Sequence, residues 1–311
     1  MSRIFDALQR SGTEQSGVEY PDMVSVATEV FEAPPVQKSA AAAVEDLVPE
    51  LQPTSLQEPI PEISETPALE NADNSPVQFP SLEVCVAPSS RLVFFTEPES
   101  LAAEKFRFLG VRLRQMRQSR TLKKVLVTSA IPGEGKSLVS VNLAGVLARR
   151  KERVLLIEGD LRRPTVAQQL GLGRLAGLAE WLQGGLQTAS NIYHLSGPGF
   201  WIMPAGDPPV NPLELMQSGR LSSLVAQLTT LFDWIVVDSP PLLPLADTTV
   251  WSRLTDGTLL VTREGTTEKG PLQRGLEIIK KSELLGVVLN GCSSTDQDNY
   301  YYQRYSPQGT K

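Results

Sequence analysis

Between residues 91 and 292, short runs of nearly unbroken apolar residues alternate with longer stretches whose apolar positions follow a helical period. Residues 123–130, KKVLVTSA, predict a strand entering a turn. RVLLIEGD (153–160), DWIVVDSPP (233–241), DGTLLVTRE (256–264) and LLGVVLNGC (284–292) predict four more. Strands this uniformly apolar are covered on both faces, as in a parallel sheet. KSLVSVNLAGVLARR (136–150) predicts an amphipathic helix after the first strand. ESLAAEKFRFLGVRLRQMR (99–117) predicts a helix before it, with Glu104, Phe108, Val111 and Met116 divided between exposed and buried faces. Helical crossovers between parallel strands give a doubly wound α/β sheet. About 200 residues suit one such domain, here 91–292.

The pattern is lost outside that stretch. Residues 11–90 carry one basic residue, Lys38, among many Glu, Pro, Ala and Ser. Proline recurs too often for long helices or central strands, so this segment reads as a disordered, acidic, Pro-rich linker. Residues 1–10 differ from it, because Ile4, Phe5 and Leu8 share a face of a short helix. A helix of that length is marginal alone. It is either a frayed terminus or a docking peptide that folds on a partner. Residues 293–311 form a polar, flexible tail that gathers four of the six tyrosines, Tyr300, Tyr301, Tyr302 and Tyr305.

Composition narrows the function classes. The net charge of −6 gives no basic footprint for nucleic acid, so none is expected as a partner. Two cysteines, Cys85 and Cys292, make neither a disulfide framework nor a metal-ligand spacing, and a reducing compartment fits them. The single His194 excludes a histidine-rich metal site. No apolar stretch approaches bilayer length, so a soluble, cytoplasmic chain is expected, with any membrane link supplied by a partner.

The chemistry concentrates after the first strand, in TSAIPGEGKSLVSVNLA. Gly133, Gly135, Lys136 and Ser137 lie where a strand ends and a helix begins. Glycines let the backbone turn N–H groups toward an anion, and the helix N-terminus adds a favourable dipole. Lys136 can reach β- and γ-phosphates and the Ser137 hydroxyl can ligate Mg2+. Ala130 stands where the strict phosphate-loop pattern has its first glycine. Glu158 and Asp160 end one further strand and Asp238 another, at the sheet edge where ligands bind in open α/β folds. Hard oxygen donors beside phosphate are what Mg2+ requires.

SAIPGEGKS, LLIEGDLRRP and IVVDSPP resemble the Walker A, A′ and B motifs of bacterial protein-tyrosine kinases (BY-kinases), which act in capsule and exopolysaccharide production. MPAGDPPVNPLELMQS resembles a further segment of that family. The likeness spans about Phe94 to Lys311. It implies a P-loop NTPase-type fold, with ATP phosphates held by Pro132, Gly133, Glu134, Gly135, Lys136, Ser137 and Leu138. It implies Mg2+ organised by Ser137, Asp160 and Asp238, and Asn290 near adenine; Arg162 and Arg163 either steady phosphate charge or only cap a strand end. Lys136, Glu158, Asp160 and Asp238 become the catalytic set. Glu158 occupies the position of the family's base, where the usual residue is Asp. The four tail tyrosines become phosphoacceptors, on a neighbouring copy.

The family's Glu-x-x-Arg-x-x-Arg helix joins subunits into rings. Glu104 and Arg107 match it, whereas Gly110 stands at the second arginine, with Arg112 and Arg114 nearby as substitutes. The resemblance also implies a membrane activator of the polysaccharide co-polymerase type, a cognate phosphotyrosine phosphatase, and a place at the inner membrane through that activator. Two other readings stay open on the residues alone: a MinD/ParA-like positioning ATPase that passes no phosphate to protein, and a non-catalytic nucleotide-binding scaffold.

Overall fold

The computed structural model describes residues 79–292, apart from residues 85, 88, 89, 185–188 and 244. The expected docking peptide, the tyrosine tail and the linker before residue 79 lie outside the described residues. In chain order the elements begin with β1 (Ser81–Leu82), α1 (Val93–Thr96), α2 (Leu101–Ser119), β2 (Lys124–Ser129), α3 (Lys136–Ala148) and β3 (Val154–Glu158). They continue with α4 (Val166–Gln169), α5 (Leu178–Leu182), β4 (Tyr193–Leu195), β5 (Phe200–Met203), α6 (Pro212–Met216) and α7 (Arg220–Leu231). Then come β6 (Trp234–Asp238), α8 (Asp247–Leu254), β7 (Gly257–Arg263), α9 (Lys269–Ile278) and β8 (Leu284–Asn290).

The eight strands form one sheet in the order β1-β4-β5-β3-β6-β2-β7-β8. All neighbours run parallel except β4 and β5. The five strands anticipated from apolar runs are β2, β3, β6, β7 and β8. Strand β1 lies inside the stretch read as linker, so the ordered fold starts earlier than residue 91. Phe79, just before it, packs its ring against Trp201 and Phe232, with centroids 6.4 and 5.8 Å away.

Alternation along the central strands explains why the sheet is covered twice. Val125, Val127, Leu156 and Val236 join one core with Leu109, Leu113, Leu143 and Leu147 from α2 and α3. Leu126, Leu155, Ile157, Ile235 and Val237 join the other with Leu224, Leu228 and Trp251 from α7 and α8. Successive residues point to opposite faces, so continuous apolar strands need helices on both.

Helix α3 departs from the amphipathic expectation. Ser137 and every residue from Val139 to Ala148 are buried. The reason is a second helical layer: α1 and α2 lie over α3 on its outer side. Gly145 makes room for α1, since a Cβ there would stand 2.5 Å from Phe94 Cδ1. The Asn142 side chain fixes the same contact, accepting from Phe94 N–H at 3.0 Å and donating to the Leu138 carbonyl at 2.9 Å.

Gly110 does the same for α2. A Cβ at this position would lie 2.7 Å from Val146 Cγ1, closer than packed carbons approach. The site where the resemblance leads one to expect arginine is therefore buried at a helix crossing. Of the two arginines offered as substitutes, Arg114 is committed within the chain, to Glu152 at 2.9 Å and to the Leu147 carbonyl at 2.9 Å. Arg112 lies over the exposed Phe108 ring, 5.6 Å from its centroid. Glu104 and Arg107 pair with each other at 2.6 Å. Replacing Gly110 by Arg gains about 1 kcal/mol of helix propensity. Overpacking at the crossing costs about 1–3 kcal/mol, which outweighs that gain. Gly110→Arg is thus expected to lower the midpoint of urea unfolding, and an unchanged or higher midpoint would show that the crossing is loose.

Candidate active site

The turn after β2 is built to present backbone to an anion. Gly133 and Gly135 take φ of 86° and 94°, values that L side chains rarely adopt, and Gly135 caps α3. A Cβ on Gly135 would also run into the Asn290 amide at 2.0 Å. The first turn of α3 then carries Lys136 and Ser137.

The strand register brings the acids to this turn. Glu158 and Asp238 are lateral partners at the ends of β3 and β6, and Asp238 pairs across to Val127 on β2. Asp238 is 1 % exposed and accepts hydrogen bonds from Ser137 Oγ at 2.6 Å and Ser140 Oγ at 3.1 Å. Burial pushes its pKa up from 3.8 to about 6; the Lys136 charge and the Ser137 hydroxyl oppose this, while Glu158 and Asp160 add to it. Lys136 Nζ lies 3.1 Å from Asp160 Oδ2. The other Asp160 oxygen accepts from the N–H groups of Arg162 and Arg163 at 3.3 and 3.0 Å. Lys136, Ser137, Asp160 and Asp238 thus converge.

The remaining predicted residues sit around that centre with partners of their own. Glu158 is 1 % exposed, and both its oxygens accept from backbone: Oε1 from Val166 N–H at 2.5 Å and Oε2 from Ala205 N–H at 3.1 Å. Burial raises its pKa, opposed by these backbone donors. Arg162 forms a two-pronged pair with the buried Asp247 at 2.6 and 3.1 Å, and the hydrogen bonds to Asp247 raise its pKa. Asn290 donates its amide to the Glu134 carbonyl at 2.9 Å. The Glu134 side chain turns inward, accepting from Ile131 N–H at 2.9 Å and from the Thr267 hydroxyl. Pro132 and Gly133 are exposed, and Leu138 packs against the core.

Sequence reasoning missed Ser140, Asp247, Thr267 and Arg263. Ser140 was legible: it follows Ser137 by three residues and so shares its helix face. Arg263, at the end of β7, which reaches the Gly133 carbonyl at 3.3 Å, and Thr267 in the turn after it come from more than a hundred residues away and carry no local motif.

A nucleotide with a divalent ion fits these residues. Left-handed glycines and a helix N-terminus face one side, a lysine stands inside, and a buried carboxylate shares a serine hydroxyl. Among the described residues no three His, Cys, Asp or Glu side chains form a metal-binding cluster. An ion here would rest on Ser137 and Asp238 and take its other ligands from phosphate and water, the usual habit of Mg2+. Among the described residues no helix is long and apolar enough to cross a membrane.

This combination of parallel sheet, glycine turn and strand-end acids defines a nucleotide-binding P-loop protein. A family profile described as ParA: NUBPL iron-transfer P-loop NTPase matches residues 120–305, which places the chain in that ParA-type class. The tyrosine-protein kinase YwqD of Bacillus subtilis is 35% identical over 218 residues, covering 68% of this chain and 90% of YwqD. The tyrosine-protein kinase wzc of Salmonella typhimurium is 30% identical over 70% of this chain, but the match spans only 31% of wzc. The kinase domain of the Escherichia coli tyrosine kinase ETK superposes with a TM-score of 0.61 at 28% identity, covering 66% of this chain and 82% of that domain. Within the ParA-type class, the chain belongs to the bacterial protein-tyrosine kinase family.

Proposed function

We propose that this chain is an ATP-dependent tyrosine autokinase that phosphorylates Tyr300, Tyr301, Tyr302 and Tyr305 on a neighbouring copy. The observation that carries the reading is the 3.1 Å contact between Lys136 and Asp160 beside the 2.6 Å Ser137–Asp238 bond, at a helix N-terminus. Phosphoryl transfer asks little covalent chemistry of a protein. It needs placement and charge neutralisation.

The turn amides and Lys136 hold the β- and γ-phosphates of ATP. Ser137 and Asp238 would hold Mg2+, with Asp160 beside them; the ion would supply neutralisation of phosphate charge. Arg162, propped by Asp247, stands at the rim. A tyrosine oxygen forms a bond to the γ-phosphorus as the bond to the ADP oxygen breaks, and the phenol proton passes to a carboxylate or to water. A free phenol ionises only near pH 10, so the site must favour loss of that proton. Each phosphate adds about −1.5 to −2 charge to the tail, enough to repel it from an acidic site.

In the same reading, residues 1–10 dock on a membrane activator of the co-polymerase type, and residues 11–78, the part of the linker stretch that precedes the described fold, act as the tether. The kinase then stays peripheral to the inner membrane through that partner, a phosphatase resets the tail, and the cycle of self-association tunes exopolysaccharide polymerisation and export. Support comes from the relatives: the chain resembles kinases such as wzc and YwqD along its nucleotide-binding portion.

The test is incubation of the purified chain with ATP and Mg2+, followed by mass spectrometry for phosphotyrosine. Label on the tail supports the reading. Phosphate release without label returns the positioning ATPase, and binding without either returns the scaffold. Changing all four tyrosines to Phe is expected to remove the tail label and leave the ATP dissociation constant within about twofold, since in this reading they accept phosphate and do not hold the nucleotide. Loss of ATP binding in that variant would make the cluster part of the fold.

A further inference from the structure

The Glu158 carboxylate is spent on backbone. It bridges two segments that are far apart in sequence: the start of α4 through Val166 N–H at 2.5 Å, and the segment just after β5 through Ala205 N–H at 3.1 Å. Both partners are donors fixed by their own surroundings. Val166 opens a helix turn in which the Gln169 N–H bonds the Thr165 carbonyl at 2.9 Å and Leu170 N–H bonds the Val166 carbonyl at 3.1 Å. Pro204 and Ala205 carbonyls accept from Leu178 and Ala179 N–H at 2.8 and 2.9 Å, which ties the same corner to α5.

Between Glu158 and Val166 runs the loop that carries Asp160. It is held at its start by Gly159 N–H on the Asp238 carbonyl at 2.7 Å and by Trp251 Nε1 on the Gly159 carbonyl at 3.2 Å. Arg162 fastens its middle to Asp247. Glu158 closes its far end. With all of these in place Asp160 meets Lys136. A buried carboxylate that loses a backbone donor leaves an unpaired polar group, so both contacts favour staying made. An acid that accepts a substrate proton needs reach to the reacting oxygen. This one is 1 % exposed, and each of its oxygens already accepts a backbone N–H.

We propose that Glu158 is a positioning residue: by joining the Val166 and Ala205 amides it sets the loop bearing Asp160 against Lys136, and it does not take the tyrosine proton. The longer arm of glutamate, compared with the aspartate that the resemblance leads one to expect here, is what spans the two amides. This inference rests on the tyrosine-kinase reading of the site.

The experiment uses the full chain and compares wild type with Glu158→Gln and Glu158→Asp for tail phosphorylation, ATP hydrolysis to water and thermal unfolding. Gln turns an NH2 toward one of two N–H donors, and Asp is one methylene too short to reach both. Both variants are expected to melt lower. Below their melting range, both are expected to lose tyrosine transfer and ATP hydrolysis by the same factor, about 10- to 100-fold, because a displaced Lys136–Asp160 pair serves both reactions. A proton acceptor at 158 predicts the reverse: Glu158→Asp at wild-type activity or above, and Glu158→Gln losing only tyrosine transfer with hydrolysis and melting unchanged. That result would overturn the proposal, as would lowered melting with both activities intact. If wild type labels no tyrosine, the autokinase reading fails by itself, while hydrolysis and melting still decide the role of Glu158.

Discussion

Lys136→Met is expected to reduce tail phosphorylation by about 10²- to 10³-fold, the loss that follows removal of one fixed donor to developing charge. The geometry argues for that size. Lys136 is the residue after the αL glycine, its ammonium is enclosed between the turn and Asp160, and its side chain is 13% exposed. Interaction with phosphate in such a place is screened far less than at the surface. Methionine fills similar volume with no charge, so the substitution reports charge and not packing. The fold should survive. Asp160 loses its ion pair but keeps the Arg162 and Arg163 N–H donors. Removing one partner of a buried pair costs about 3–5 kcal/mol when the other is stranded, and those two donors reduce the penalty. A melting shift of several degrees is expected, with the unfolding transition still cooperative. Phosphotyrosine mass spectrometry on pure protein is the measurement, and persistent labelling would place the transferred phosphate away from this turn.

What could be read from the chain, and what could not, divides along contact range. The phosphate turn is a local object: strand, two glycines, lysine, serine and helix lie within about fifteen residues, and its motif states its chemistry directly. Strand-end acids were legible for a related reason, because apolar runs that stop at a carboxylate mark the ligand edge of a parallel sheet. Strands β1, β4 and β5 were not, since two to four residues show no period and their pairing is decided by partners such as His194 for Ser81. The enclosure of α3 depends on Gly110 and Gly145 meeting Val146 and Phe94, contacts made by residues that carry no apolar signal of their own. The amide partners of Glu158 are equally silent in sequence. A carboxylate at a strand end looks the same whether it faces a substrate or a backbone, and here only the folded positions of Val166 and Ala205 show which groups it meets. The resemblance places a base at this position, and the side chain found there has each oxygen accepting a backbone N–H.

Asp238 gives the second large effect, and its sign depends on ligand. Because burial raises the folded pKa from 3.8 to about 6, the folded protein holds this proton more tightly than the unfolded chain does. Its contribution to stability is therefore full below pH 3.8, is lost as pH rises through about 6, and stays lost above. At about 1.36 kcal/mol per pKa unit, the loss is on the order of 3 kcal/mol by pH 7. Asp238→Asn removes the titration at little structural cost. Its amide can donate to one serine hydroxyl, which then accepts, while its carbonyl still accepts from the other. Without nucleotide, Asp238→Asn should be more stable than wild type at pH 7–8 and lose that advantage near pH 4, read as a difference in urea midpoints across the range. With ATP and Mg2+ the order should reverse. A carboxylate that is costly when alone becomes favourable beside a divalent cation, so wild type gains binding energy that the variant forgoes. Tail phosphorylation in the variant should fall at least about 100-fold. A variant less stable than wild type at pH 8 without ligand would mean that the carboxylate is held charged by partners already in the fold, and that the cost of burying it has been met before any ion arrives.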